Sequence, residues 1–327
     1  MLNKGRNYMK TASALIILTL AATHAFAADY PVKPIRIIAP FPPGGSVDLA
    51  ARLVGADLTK PLGQQFIIDN RTGATGMIGT DAAAKSPPDG YTLLVNTLPF
   101  VTNQFAYSKI PYDPVNDFAP VSMLASVASV LVSHPALPVN SMKELIALAR
   151  AKPGEITYGT AGAGSNPHIA GSLLNSLAKI KLVPVHYKGG GPATIATISG
   201  ETQLYFVNSI PDALPHMQTK KLKALGITAT KRNPSAPDVP TMAEAGLPGY
   251  EFLTWQILAA PRATPAPIIA TLNEKLRAVM RSPEGGKRWQ DRGLEVIANT
   301  PEEAAAYIAA EIKKWRAVFK EQGIKAE

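Results

Sequence analysis

Ile35-Arg36-Ile37-Ile38-Ala39-Pro40-Phe41-Pro42-Pro43-Gly44-Gly45-Ser46-Val47-Asp48 decides the fold. The run over residues 35–40 is short, β-branched and apolar, as a strand buried on both faces must be. Residues 46–60 then place Val47, Ala50, Val54 and Leu58 on one helical face. The two glycines between them permit a tight strand-to-helix turn. Working outward, residues 65–70 read as a second strand and 76–85 as a short Ala-rich helix. Pro87-Pro88-Asp89-Gly90 reads as a turn, and 91–97 as a third strand. The order β-α-β-α-β signals a parallel sheet with crossover helices.

The same order returns downstream. A strand is expected at 128–133, followed by a helix that opens on the capping box Ser141-Met142-Lys143-Glu144. Strands at 155–159, 182–188, 203–208 and 223–228 alternate with helices at 166–178, 192–198 and 213–220. A last strand at 255–260 precedes helices at 265–280 and 301–323. The final helix carries Thr300 as cap, Pro301 at its first position and Glu302 and Glu303 in its first turn. Two doubly wound α/β units in one chain predict two lobes with a cleft between them. The expected division is 28–125 and 253–327 for the first lobe and 126–252 for the second.

Residues 1–27 read as an export signal. Lys4, Arg6 and Lys10 form its positive end, 11–23 its apolar stretch, and Ala25-Phe26-Ala27 a small-x-small site cut after Ala27; Met9 is an alternative start. The apolar stretch is too short to span a bilayer comfortably. Losing those three positive charges takes the net charge from +9 to +6, a balance that favours anionic ligands or merely aids solubility. The chain has no cysteine, so neither disulfides nor a lipidated N-terminal Cys is available. An extracytoplasmic, freely soluble protein is expected. No basic run is interleaved with aromatics, which argues against nucleic acid.

Chemistry is expected at four strand-to-helix turns, residues 41–48, 71–76, 160–168 and 188–192. They lie at the carboxyl ends of strands, where open α/β sheets bind ligands. Unpaired N–H groups and the partial positive charge of a helix start make an anion site without a formal cation. Ser46, Thr75, Ser165 and Asn166 add side-chain donors. Such turns also occur simply because a chain must reverse, and Lys188 serves equally as a solvated strand end. Enzyme signatures are absent or imperfect. Gly164-Ser165-Asn166 lacks the glycine spacing of a nucleophile elbow, although Ser165 and His168 remain a candidate hydrolase pair. There is no P-loop, and Gly73, Gly76 and Gly79 depart from the dinucleotide spacing. His134, His168, His186 and His216 show no metal-ligand spacing. No cofactor or metal is expected.

Several motifs together resemble the Bug (TctC-like) receptors of tripartite tricarboxylate transporters. They are Tyr30-Pro31-x-Lys33-Pro34-Ile35-Arg36, Pro43-Gly44-Gly45-x-x-Asp48-x-x-Ala51-Arg52, Gly63-Gln64, Asn70-Arg71-x-Gly73-Ala74-x-Gly76-x-Ile78-Gly79 and Pro88-Asp89-Gly90-Tyr91-Thr92-Leu93-Leu94. Gly164-Ser165-x-x-His168, Tyr187-Lys188-Gly189-Gly190-Gly191-Pro192-Ala193, Ala260-Pro261-x-Ala263-Thr264-Pro265 and Gly323-Ile324 continue the match. The resemblance implies a type II periplasmic binding protein fold, a monomer that captures a small organic carboxylate and hands it to a two-component membrane permease. It implies first-lobe contacts from Phe41, Pro43, Gly44, Gly45, Ser46 and Val47, with Ala74 and Gly76 nearby. Ser165, Asn166, His168, Lys188, Gly189 and Asn208 would face them from the second lobe. Two positions depart from the family's pattern: Val47 offers no hydroxyl, and Asn208 is neutral where an acid is common. That weakens an amino-acid ligand and leaves di- or tricarboxylates and aromatic acids open. Phe41, Phe100 and Trp255 line an aromatic pocket or pack the lobe. A sensory receptor and a Ser165/His168 hydrolase remain the rival functions.

Overall fold

The computed structural model describes residues 30–323, so the expected signal peptide and its cleavage after Ala27 lie outside the described residues, as does Ile324. The first sheet begins with β1 (Ile35–Ala39), β2 (Phe66–Asn70) and β3 (Thr92–Thr97), all parallel. Between them run α1 (Ser46–Leu62) and α2 (Met77–Ala84). β3 is buried at every position, as a central strand between two helix layers requires. β4 (Phe118–Ala128) and β10 (Leu253–Pro261) pair antiparallel to one another, and β10 also pairs antiparallel to β3. With the short β11 (Glu295–Val296), the order is β11-β4-β10-β3-β1-β2.

The second sheet repeats this plan. β6 (Thr157–Thr160), β7 (Val183–His186) and β8 (Leu204–Val207) run parallel, and β5 (Val130–Ser133) is antiparallel to β8 and to β9 (Lys223–Ile227). Its order, β7-β6-β8-β5-β9, is that of β2-β1-β3-β10-β4. In each sheet the antiparallel member is the strand that enters from the other half of the chain. The chain passes from the first sheet to the second at Ser129 and returns through residues 228–252.

The structure corrects the expected elements in several places, among them a helix at 283–290 and a short strand at 295–296 that were not expected. The strand expected at 128–133 is two strands in different sheets, because β4 runs its full length in the first sheet before the chain turns out at Ser129. Each sheet is mixed rather than wholly parallel. Periodicity also passed over α3 (Pro99–Ala106), whose side chains are buried nearly all round and so show no apolar stripe. The remaining helices are α4 (Met142–Ala151), α5 (Asn166–Ala178), α6 (Gly190–Ile198), α7 (Ile210–Gln218), α8 (Ala266–Met280), α9 (Pro283–Gln290) and α10 (Pro301–Gln322). Both helix caps read from sequence are present, but the expected box at Ser141 closes on one side only: Ser141 Oγ accepts from Glu144 N at 3.2 Å, while Glu144 Oε2 accepts from Asn140 N at 2.7 Å instead of Ser141 N. Thr300 and Glu303 cap each other reciprocally.

One apolar cluster joins the two lobes. Ile38, Leu94 and Trp255 of the first sheet belong to the same core as Leu131 and Tyr158 of the second, together with Ile169 of α5 and Trp315 and Phe319 of α10. α10 packs on β4 and α3 and reaches α5. Phe100 packs parallel to Tyr112 and edge-on to Phe118. Trp255 is fully buried and donates Nε1–H to Glu311 at 2.8 Å. Trp315 Nε1 donates to the same Glu311 oxygen, also at 2.8 Å. Phe100 and Trp255 are thus lobe packing rather than the wall of an aromatic pocket. Glu311→Ala leaves two buried indole N–H groups unpaired. It is expected to cost about 2–5 kcal/mol, read as a lowered denaturation midpoint in urea; Glu311→Gln keeps an acceptor and loses less.

Candidate functional site

The turn after β1 is built on a buried carboxylate. Asp48, 3% exposed, lies in the first turn of α1. Its Oδ2 accepts from Gly44 N at 3.0 Å and from Arg52 Nε at 2.9 Å; its Oδ1 accepts from Asn70 Nδ2 at 3.0 Å. Asn70 Nδ2 also donates to the Phe41 carbonyl at 3.1 Å. One carboxylate therefore ties α1, its preceding turn and the end of β2 together. Burial raises the Asp48 pKa, but the bonds from Arg52, Gly44 and Asn70 outweigh it and hold the carboxyl below its ordinary range. Gly44 sits at φ +82°, where a side chain would be strained.

This bracing leaves the helix start itself uncapped. Gly45 is the N-cap and supplies no side-chain bond. Gly44 N is committed to Asp48, and Gly45 N to the Pro42 carbonyl at 3.3 Å. The N–H groups of Ser46, Val47 and Asp48 are first-turn donors without intrahelical partners. Pro43, Gly44 and Gly45 are exposed, and Phe41 and Ser46 are half-buried. Val47 is 2% exposed in the first-lobe core, so only its backbone can serve a ligand.

The turn after β2 carries a run of positive φ: Gly73 +128°, Ala74 +48°, Thr75 +51° and Gly76 +85°. Non-glycine residues there cost about 1–3 kcal/mol each and persist only where neighbours hold them. Thr75 is held on three sides. Its carbonyl accepts from Asn103 Nδ2 at 3.1 Å, and its hydroxyl lies 2.8 Å from Tyr107 Oη. That hydroxyl also donates, at 3.4 Å, to the Ala163 carbonyl of the second lobe. Gly76 is buried, and Phe41 closes over it.

Ala163 belongs to the matching turn after β6. Ser165, the N-cap of α5, makes no side-chain cap bond, and Ser165 Oγ and Asn166 Oδ1 are buried without partners. His168 Nδ1 accepts from Gly164 N at 3.0 Å, so the ring holds the turn and carries its proton on Nε2. Burial and the neighbouring His186, 4.9 Å away edge-on, push the His168 pKa down to about 4. His186 Nδ1 lies 2.6 Å from Thr160 Oγ1 at the end of β6. β6 is parallel to both β7 and β8, so the turns after all three strands share one sheet edge. Gly189, at φ +119°, is the uncapped start of α6; Lys188 is exposed and makes no ion pair among the described residues; Asn208 Oδ1 is buried without a partner there.

The structure thus places the expected residues at two facing sheet edges, joined across the cleft at Thr75–Ala163. No lysine or arginine is buried at these turns. Among the described residues no cluster of three or more metal-ligating side chains exists, and no helix is long and apolar enough to cross a membrane. Two surface depressions, about 690 Å³ beside Thr264 and Asn273 and about 220 Å³ beside Ser86 and Asn116, lie at the far end of the first lobe. Sequence reading did not assign roles to Asp48, Asn70, Asn103 or Tyr107. The Gly44-to-Asp48 spacing, a backbone donor followed four residues later by an acid in a first helical turn, was the usable signal.

The fold and these paired turns define a two-lobed periplasmic binding protein. The signature of the tripartite tricarboxylate transporter family receptor (TctC) matches residues 50–324, and the chain belongs to this family of solute-binding receptors. BugT of Bordetella pertussis is 38% identical over 95% of this chain and 96% of its own. A solved R. palustris protein with adipate is 36% identical, with a TM-score of 0.85 over 90% of this chain and 99% of that one. MatC from Rhodopseudomonas palustris with bound malate is 33% identical, with a TM-score of 0.80 over 88% and 99%.

The His168 geometry has a pH consequence. Its folded pKa of about 4 lies below the ordinary 6.5, so the unfolded chain takes up a proton first as pH falls. Stability is full above about 6.5 and declines toward 4. Urea midpoints at pH 7.5, 6 and 5 are expected to fall more steeply for the wild type than for His168→Asn.

Proposed function

We propose that this receptor captures a small organic carboxylate between its lobes and delivers it to the membrane permease of a tripartite tricarboxylate-type transporter. The supporting observation is the pair of uncapped helix starts, α1 and α5, one on each of two sheet edges that the Thr75–Ala163 hydrogen bond bridges. Fixed amide dipoles suit an anion in a site from which water is expelled, and they suit it without a paired cation. The adipate and malate bound to two relatives are acids of this class. The ligand contacts are Phe41, Pro43, Gly44, Gly45, Ser46, the Val47 amide, Ala74, Gly76, Ser165, Asn166, His168, Lys188, Gly189 and Asn208. The moving units are the two sheet-bearing lobes, hinged at Ser129 and at residues 228–252. The protein acts as a periplasmic monomer, exported by the segment cut after Ala27.

The same atoms support binding rather than turnover. Ser165 Oγ has no hydrogen-bond partner, and His168 Nδ1 is taken by Gly164 N. The two side chains are not coupled as nucleophile and base. Closure comes from the ligand's greater affinity for the closed form.

Thermal unfolding of the refolded, ligand-free protein against carboxylates and amino acids tests this reading. An acid at a hundred times its Kd is expected to add about 2.7 kcal/mol of stability. Thr75→Val, which removes the bond across the cleft, is expected to weaken that acid by about two- to tenfold. A panel without a single acid that stabilises the protein contradicts the reading.

A further inference from the structure

Gln256 is a polar residue with no exposure in the middle of β10, and neither Nε2 nor Oε1 has a hydrogen-bond partner. Directly opposite it across the β10–β3 ladder stands Thr97, 3% exposed, whose Oγ1 is equally unpaired. Cross-strand partners project to the same face. Residues two along on each strand, Leu258 and Val95, belong to the core cluster that contains Val47 and Ala125. The orphaned atoms therefore lie on the face of the sheet that carries α1, whose first turn holds Val47. They also lie at the end of the sheet nearest the cleft: Thr97 is the last residue of β3, and the chain enters β10 from the second lobe three residues before Gln256. Buried amide and hydroxyl groups left unpaired are costly and ask for a partner.

We propose that Gln256 and Thr97 form the floor of the first-lobe binding site and select for an O–H group brought in with the ligand. This rests on the carboxylate-capture reading and deepens it. The chemistry of the pair fixes the class of group. Nε2 donates, Oε1 accepts, and a hydroxyl does either. A carboxylate oxygen satisfies Nε2 alone and repels Oε1. An O–H oxygen takes the Nε2–H while its proton goes to Oε1 or Thr97. That O–H is either a hydroxyl on the acid itself or a water held on its carboxylate.

The test is calorimetric titration of refolded wild type, Gln256→Leu and Thr97→Val with succinate, malate and adipate, alongside the melting point of each ligand-free protein. Gln256→Leu is expected to bind about tenfold more weakly while melting at the same temperature as wild type or higher, since it removes a group left unpaired. A wild-type preference for malate over succinate that collapses in the variants assigns the O–H to the ligand. An equal loss for all three acids assigns it to water. Wild type and Gln256→Leu binding within twofold of each other overturns the proposal. So does a lowered melting point in the ligand-free variant, which shows that the carboxamide serves a partner inside the protein. Thr97→Val gives the same readings if Gln256→Leu does not fold. A wild type that takes none of the acids contradicts the capture reading instead, and the melting comparison still shows whether the carboxamide is unpaired.

Discussion

The Asp48 carboxylate is the constraint on which the rest of the site depends. It is buried, charged and satisfied from three directions, by the backbone of the turn, by the side chain that ends β2, and by the arginine one turn along its own helix. A carboxylate in the first turn is also favoured by the helix dipole. Its consequence is spatial. By taking Gly44 N and anchoring Asn70, it bends the chain so that the next amides, from Ser46 onward, point outward with nothing to bond. The ordinary device for ending a helix, a Ser, Thr, Asp or Asn side chain at the N-cap, is replaced by glycine at position 45. Stability that a capping side chain would supply at the helix start is supplied one turn inside it, and the start is left open to a ligand.

The second lobe reaches the same result differently. There Ser165 occupies the N-cap but leaves its hydroxyl free, while the imidazole of His168 reaches back to hold Gly164. A neutral ring suits that task, because Nδ1 must accept. Burial and the adjacent His186 keep it neutral well below the pH at which a free histidine charges. Neither lobe therefore presents a formal cation from its interior. In the proposed reading, selectivity for an anion would rest on oriented dipoles, which gain strength where water is removed. The loop at 73–76 is strained on the first lobe and hydrogen-bonded to the second.

Much of this was legible in the sequence, and the unread parts share a cause. The β-α-β-α-β runs, the glycine turns and the Ser141 and Thr300 helix caps are local signals, and the structure carries them where the pattern put them. The strand at 118–128 was missed because its neighbours are β10, over a hundred residues away, and β11; nothing local marks it as ending where β5 begins. α3 was missed because a helix buried on all sides has no period. At the site, Ser165 and His168 were legible as positions but not as roles. Which of them holds the turn depends on a distance across four residues in three dimensions. Gln256 was invisible for a further reason. A polar residue inside an apolar strand reads as an irregularity until the strand opposite, with Thr97 in register, is known.

The central claim is that uncapped amides, not a buried cation, hold the ligand's carboxylate. The most direct measurement is calorimetric titration of the refolded, ligand-free protein with the acid that stabilises it most and with that acid's primary amide, at low and high salt. The account predicts that the acid binds at both salt concentrations, since buried dipoles are poorly screened, and that the amide binds at least about a hundredfold more weakly. Equal binding of acid and amide would contradict it.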